Sequence, residues 1–257
     1  MIQQALREVA ERWVWFPPTW KIIREPDFTL TLNSQDINDN VVYSSGTSHP
    51  EQLVERVEQL IREQGRQQLK WWVSTATREP QRMHAVLSRC GYQSHDIVEV
   101  LAWSLEDSSL PWPTLPLTNV GRPNSADDVK DAVTLLSQVF DARGPSSDEL
   151  KRAVAEWRRD PHEVSGYYVA RNHQCEIVGA AGLTLDQWVG KLWGSAVHPE
   201  WRHQGLYRQL VKLRAQAALQ HGAKYCLVKA RIGTSAPILL QAGFQQLATE
   251  ICYHRRL

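Results

Sequence analysis

The sequence predicts an α/β protein of two domains, and three observations carry the prediction. Strand and helix patterns alternate from Val41 to Leu105, the same alternation returns from Gly166 to His254, and the interval between Glu106 and Ser125 holds four prolines, Pro111, Pro113, Pro116 and Pro123. Each proline fixes φ and lacks an amide proton, so that density suits neither a helix nor a central strand. The interval reads as a linker, which divides the chain into a first domain at 1–110, a linker at 111–124 and a second domain at 125–257.

The opening helix, Gln3 to Arg12, carries Ile2, Leu6, Val9, Ala10 and Trp13 at helical spacing, and Pro17 and Pro18 end it. Val41 to Tyr43 is a short strand. The helix from about His49 to Glu63 has Pro50 in its first turn and one apolar stripe of Leu53, Val57, Leu60 and Ile61. Leu69 to Val73 is strand, Pro80 to Arg89 helix, and Ile97 to Leu105 strand. A short strand is expected at Leu117 to Val120. Ser125 caps a helix reaching Phe140, and Ser146 or Ser147 starts another reaching Arg158. Gly166 to Arg171 and Cys175 to Leu185 form a hairpin, and Lys191 to Val197 is a third strand. A helix then runs to about His221 on Leu206, Leu210, Leu213, Ala217 and Leu219, and Gly222 stops it. Tyr225 to Ala230 is strand, Ser235 to Gln241 a short helix, and Leu247 to His254 the last strand.

The first strand, helix and strand after Val41 correspond in order and interval to those after Ala196, and Gly91 and Tyr92 correspond to Gly243 and Phe244. This reads either as an internal duplication or as the rhythm that any two αβ units share.

Composition excludes several functions. Lys and Arg number 29 against 28 Asp and Glu, so no large field of one sign is present to hold nucleic acid or a membrane surface. The four cysteines (Cys90, Cys175, Cys226, Cys252) are far apart, and the nine histidines show no ligand spacing, so no metal is expected. No stretch approaches a membrane span, the start lacks the apolar run of a secretory signal, and the expected location is cytoplasmic. Eleven tryptophans supply core or interface packing and permit a homodimer. A serine-hydrolase elbow and a P-loop are both missing.

The stretch that carries chemistry is Arg202, His203, Gln204, Gly205, Leu206 and Tyr207, between a strand and a helix. Backbone N–H groups at such a helix start can converge on a phosphate, Arg202 adds fixed positive charge, and Gly205 lets a ligand approach the backbone. The same residues also suit a plain helix start.

Here the sequence resembles the GNAT superfamily of acyl-CoA-dependent N-acyltransferases. Val197, Pro199, Trp201, Arg202 and Gly205 follow that family's V-x-P-x-aromatic-R-x-x-G-x-G/A signature, and Tyr207 departs from it. Leu239 to Phe244 is similar to the family's ending near its last helix. The resemblance covers Leu117 to Leu257; Val41 to Leu105 follows it only as a degenerate copy, with Ser44, Ser45, Gly46 and Thr47 where the Arg-x-x-Gly loop would stand. The implied fold is two GNAT-like domains, each a mixed central sheet flanked by helices, the N-terminal one degenerate, with Gly46 and Thr47 left to shape a surface.

The resemblance implies an N-acetyltransferase using acetyl-CoA as co-substrate. The pantetheine arm would pair with Ala196 and Val197 where two strands splay apart. The diphosphate would sit on N–H groups of His203, Gln204, Gly205, Leu206 and Tyr207, with Arg202 and Arg208 nearby, and an N–H near Val197 would face the thioester carbonyl. The acceptor would be a small-molecule amine or a peptide amine. Asp186 and Glu250 are the candidate bases to test, the ordinary reading of each being a solvated surface carboxylate. Leu239 fills the slot where many members carry an acidic tyrosine. Tyr207, Tyr225 and Tyr253 are substitutes by type, Tyr207 being the first candidate and also an ordinary packing residue. The missing tyrosine keeps open an acyl-CoA sensor or scaffold without turnover, and a plain nucleotide phosphate site is a third reading.

Overall fold

The computed structural model describes residues 1–14, 20–34, 36–77, 79–106, 110–113, 120–140, 144–160 and 162–257. The helix stop at Pro17 and Pro18 and the Leu117 end of the expected short strand lie outside the described residues. The elements run α1 (Ile2–Arg12), β1 (Lys21–Arg24), β2 (Phe28–Leu32), β3 (Asn40–Ser44), α2 (Pro50–Glu63), β4 (Gln68–Ser74), α3 (Pro80–Arg89), β5 (Gln93–Ser104), β6 (Val120–Gly121), α4 (Ala126–Val139) and α5 (Ser147–Arg159). They continue with β7 (Gly166–Arg171), β8 (Ile177–Asp186), β9 (Val189–Val197), a 3-10 turn (Pro199–Trp201), α6 (Leu206–Gln220), β10 (Tyr225–Arg231), α7 (Ser235–Gln241) and β11 (Gln245–Arg256). These form two compact units: Met1–Leu101 with Ala230–Leu257, and Ala102–Lys229.

In the first unit the strand order is β1-β2-β3-β4-β11-β5. Strands β1, β2 and β3 are antiparallel neighbours, and β3 runs parallel to β4 with Val42 opposite Trp71. Strands β1 and β2 have no counterpart in the sequence reading. β1 is only four residues long, whereas Phe28 to Leu32 of β2 alternates apolar residues with threonine, a strand pattern that the sequence carried in only five residues. Thr31 of β2 is nonetheless wholly buried, because its hydroxyl donates to the Val41 carbonyl at 3.2 Å. Leu53, Val57 and Ile61 of α2 and Met83 and Leu87 of α3 pack with Phe28, Leu30, Trp71 and Val73 of the strands into one core. Each such buried side chain contributes about 1.5–3 kcal/mol. Chain segment 230–257, read from sequence as the end of the second domain, places β11 antiparallel to β4 from Arg256 opposite Gln68 to Glu250 opposite Ser74. β4 thus has a partner along both edges.

In the second unit the order is β10-β9-β8-β7-β6. β6 to β9 are antiparallel in turn, and β10 joins β9 in parallel. Ser125 Oγ accepts the Asp128 N–H at the start of α4, and Ser146 and Glu149 form a reciprocal capping box on α5 at 3.2 and 2.8 Å. Ala132 and Leu135 of α4 pack on Val169 and Ala180 of the sheet. α6 approaches β9 closely at Gly190, where a Cβ would lie 2.7 Å from the Ala218 methyl. Described residues of the proline-rich interval are tied down: Gln209 and Lys212 of α6 donate to the carbonyls of Pro113 and Trp112 at 2.8 and 3.1 Å, and Leu110 and Trp112 are buried.

Candidate active site

Strand β9 parts from β10 halfway along its length. The parallel register runs from Val189 opposite Tyr225 to Leu192 opposite Val228 and ends there, whereas β9 continues to Val197. Beyond Leu192 its outer backbone groups face no β10 ladder partner among the described residues. On its other edge β9 stays paired with β8, with a bulge. Gly182 lies opposite Trp193 and Ala180 opposite Ala196, so Gly194 and Ser195 together oppose Ala181. Gly194 takes a φ of 57°, the left-handed conformation that such a bulge residue needs. Trp193 lies flat on Gly182, where a Cβ would come within 2.1 Å of the indole.

The chain leaves β9 through the 3-10 turn and bends sharply into α6. His198 N–H donates to the Val178 carbonyl at 2.8 Å, and Arg202 Nε donates to the Val197 carbonyl at 3.2 Å, which fastens the loop to the strand end. His203 and Gly205 both have positive φ, 63° and 81°. A non-glycine residue held left-handed is strained, and such strain gathers where a loop must present its backbone. The first helical bond of α6 is Gln209 N–H to the Gly205 carbonyl at 3.1 Å. The N–H groups of His203, Gln204, Gly205 and Leu206 bind no backbone acceptor among the described residues. Arg202, His203, Gln204 and Arg208 are exposed, Tyr207 is half-buried and Leu206 is buried. Open donors, a positive helix end and two exposed guanidinium groups make this turn a fitting cradle for a diphosphate.

Beneath the bulge lies a residue that the sequence reading passed over. Arg214 of α6 is wholly buried. Its Nη1 donates to the Gly182 and Trp193 carbonyls at 2.7 and 3.2 Å, its Nη2 to Ser195 Oγ at 2.7 Å, and its Nε to the Leu210 carbonyl at 2.9 Å. Burial pushes its pKa down to about 10, which leaves it charged at neutral pH. The signal was its place in the helix: Leu206, Leu210 and Arg214 follow one another at four-residue steps on the buried face. The expected stripe shifts accordingly, since Leu219 is exposed and Leu213 and Ala217 are half-buried.

The other candidates are dispersed. Asp186 ends β8 and pairs with Lys191 of β9, its side chain 45% exposed. Glu250 is buried in β11, in the first unit, and burial, with the nearby Glu250 second, raises the pKa of Tyr43. Leu239 is wholly buried in α7. Tyr225 stacks edge-on against Trp188 at 5.8 Å, and Tyr253 hydroxyl meets His84 Nδ1 at 2.9 Å in the first unit. Gly46 has a φ of 95°, and Thr47 Oγ1 accepts the His49 N–H at 3.1 Å ahead of α2. The four cysteines are free thiols, and burial pushes Cys226 and Cys252 up to about 12. Among the described residues no group of His, Cys, Asp and Glu could hold a metal ion, and no helix is long and apolar enough to cross a membrane.

Comparison with known proteins shows what this fold is similar to. Residues 131–235 match the model of the acetyltransferase (GNAT) family. This stretch is similar to a GNAT-family domain. The whole chain superposes on a GCN5-related N-acetyltransferase from Sphaerobacter thermophilus with a TM-score of 0.71 at 16% identity, covering 100% of this chain and 85% of that one. A second GCN5-related N-acetyltransferase, from Kribbella flavida, gives 0.68 at 16% identity over 98% and 93%. A tandem GNAT protein from the clavulanic acid biosynthesis pathway gives 0.62 at 12% over 97% and 87%. The fold is thus that of two GNAT-like domains, and β9 with its bulge, the glycine turn, α6 and β10 all lie within the segment that the GNAT model matches. No functionally curated protein matches the sequence.

Proposed function

We propose that the protein is an N-acetyltransferase that moves an acetyl group from acetyl-CoA to the primary amine of a small molecule or a peptide. The observation that carries this is a coincidence in one unit: the β9–β10 ladder ends at Leu192, and the strand so released leads directly into a turn with open N–H groups and exposed arginines. On this reading the pantetheine arm pairs with β9 at Ala196 and Val197. The diphosphate is held by His203, Gln204, Gly205, Leu206 and Tyr207, with Arg202 and Arg208 neutralising its charge.

The reaction asks little of side chains. The amine nitrogen attacks the thioester carbon, negative charge develops on the carbonyl oxygen, the C–S bond breaks, and the CoA thiolate departs while the ammonium loses a proton. Amide N–H groups at the bulge stabilise that oxygen, and alignment of amine and thioester supplies much of the acceleration. Asp186 or Glu250, acting through water, receives the proton, and Tyr207 is the candidate donor to the thiolate. The free thiols fit a reducing cytoplasm. The same proposal takes 1–110 and 125–257, joined through 111–124, as a repeat in sequence, with residues 230–257 of the second copy packed in the first compact unit.

Thiol release from acetyl-CoA with a panel of amines tests this. Free CoA should appear only with an acceptor, and Asp186→Asn or Glu250→Gln, whichever is the base, should shift the pH–rate profile. Tight acetyl-CoA binding with no release would identify the sensor instead, a reading that the buried Leu239 in the tyrosine slot favours. ADP competing as well as CoA would identify a plain nucleotide site.

A further inference from the structure

We propose that Arg214 is a positioning residue for acyl transfer: it holds the β9 bulge from beneath and so sets the amide groups that meet the acyl carbonyl. This rests on the acetyltransferase reading above and adds a residue to it.

A bulge interrupts the ladder, and the carbonyls around it lose their regular partners. One guanidinium replaces them. It reaches Gly182 of β8 and Trp193 and Ser195 of β9 at once, bridging both strands across the irregularity at 2.7 to 3.2 Å. Its Nε bond to the Leu210 carbonyl, one turn back, fixes the fork on its own helix. The planar five-donor geometry is what makes this bridging work, and an ammonium group lacks it.

Stability alone does not account for an arginine here. Among the described residues its hydrogen-bond partners are carbonyls and one hydroxyl and none is a carboxylate, so no counter-charge is bonded to this buried charge there. An apolar side chain of similar volume commonly serves a core better than a buried charge does. What the charge adds is polarisation. A charge-assisted bond to the Trp193 carbonyl makes the Gly194 N–H of the same peptide group a stronger donor. That group lies on the length of β9 already past the end of its pairing with β10. Arg214 also stands on the helix that begins at the Gly205 turn, so one rigid element fixes both the diphosphate cradle and the bulge.

The test uses the full chain with Arg214→Lys, Arg214→Met and Ser195→Ala, the last removing one acceptor of the fork with little disturbance to folding. Each folded variant should keep its KM for acetyl-CoA within about twofold while kcat falls roughly 10- to 100-fold, the pattern of an interaction made in the transition state. The infrared carbonyl stretch of bound ¹³C-acetyl-CoA should move toward its value in free solution. Wild-type kcat and carbonyl frequency in folded Arg214→Lys and Ser195→Ala would overturn the inference, as would a rise in KM with kcat unchanged. A wild-type protein that binds acetyl-CoA without transferring the acetyl group would remove the proposed activity, and the carbonyl frequency would still decide the role of Arg214. A wild-type protein that binds no acetyl-CoA would overturn both.

Discussion

At Gly205 a side chain would do two kinds of harm. The residue caps α6 with a φ of 81°, a left-handed conformation that costs an L-residue about 1–2 kcal/mol, and on the proposed reading a Cβ would add bulk where the backbone must approach the diphosphate. Gly205→Ala should therefore weaken coenzyme A about tenfold or more, equivalent to about 1.4 kcal/mol, with ADP weakened in parallel because the diphosphate is common to both. Titration calorimetry on the folded variant reads this directly. Unchanged affinity for both ligands would remove the turn from the binding site. The sharp turn was legible because a glycine stands where the backbone goes left-handed at the start of α6, and the role of that turn and of Arg202 in holding a phosphate remains the proposal. Arg214 was not legible, because a charge on an apolar helical stripe reads as an exposed interruption until the bulge it serves is seen in three dimensions.

Elements were legible where a local device ends them. Ser125, Ser146 and Glu149 mark the starts of α4 and α5 by hydrogen bonds made within one helical turn, and the short α7 spans the predicted residues Ser235 to Gln241. β2 was readable in principle, since Phe28, Leu30 and Leu32 alternate with threonines at strand period, and what no local pattern shows is that Thr31 is buried by a hydroxyl bond to the partner strand. The bulge escaped for the same reason: Gly194 and Ser195 look like any strand residues until the register of β8 is known. The start of α4 also carries a pH dependence. Burial opposes ionisation of Asp128, but the Asn124 N–H at 2.6 Å, the Arg171 guanidinium and the Ser125 backbone outweigh it and hold its pKa below the usual aspartate value. A depressed carboxyl contributes stability above its unfolded pKa of about 3.9, and that contribution is lost as pH falls through the folded value. Asp128→Asn should thus be about 1–2 kcal/mol less stable than wild type at pH 7, with the difference closing toward pH 3. Urea unfolding across that range checks it, and a constant difference would place the effect in packing instead.

The molecule as a whole is not divided as its sequence is. The sequence reads as two successive halves, yet the first compact unit is discontinuous and takes its fifth strand from the chain's C-terminal segment. Strand pattern marks 245–256 as a strand but says nothing about which sheet it joins, since any strand with one apolar face can pair with any open edge of matching register. The consequence concerns folding. β11 pairs with β4 along seven residue positions, from Gln68 to Ser74, and places Tyr253 in the core that contains Trp71 and Tyr92. A chain ending at Gly243 leaves β4 with an open edge and that core with a missing wall, so amide protection in β2, β3 and β4 should fall sharply. Strands β7, β8 and β9, whose pairing is all within 102–229, should keep theirs. Hydrogen exchange read by mass spectrometry separates the two regions. Protection of β2 to β4 at the full-length level in the shortened chain would mean that the first half folds by itself and that β11 is an accessory to its sheet; loss confined to that region would mean that the C-terminal strand completes the fold of the N-terminal half.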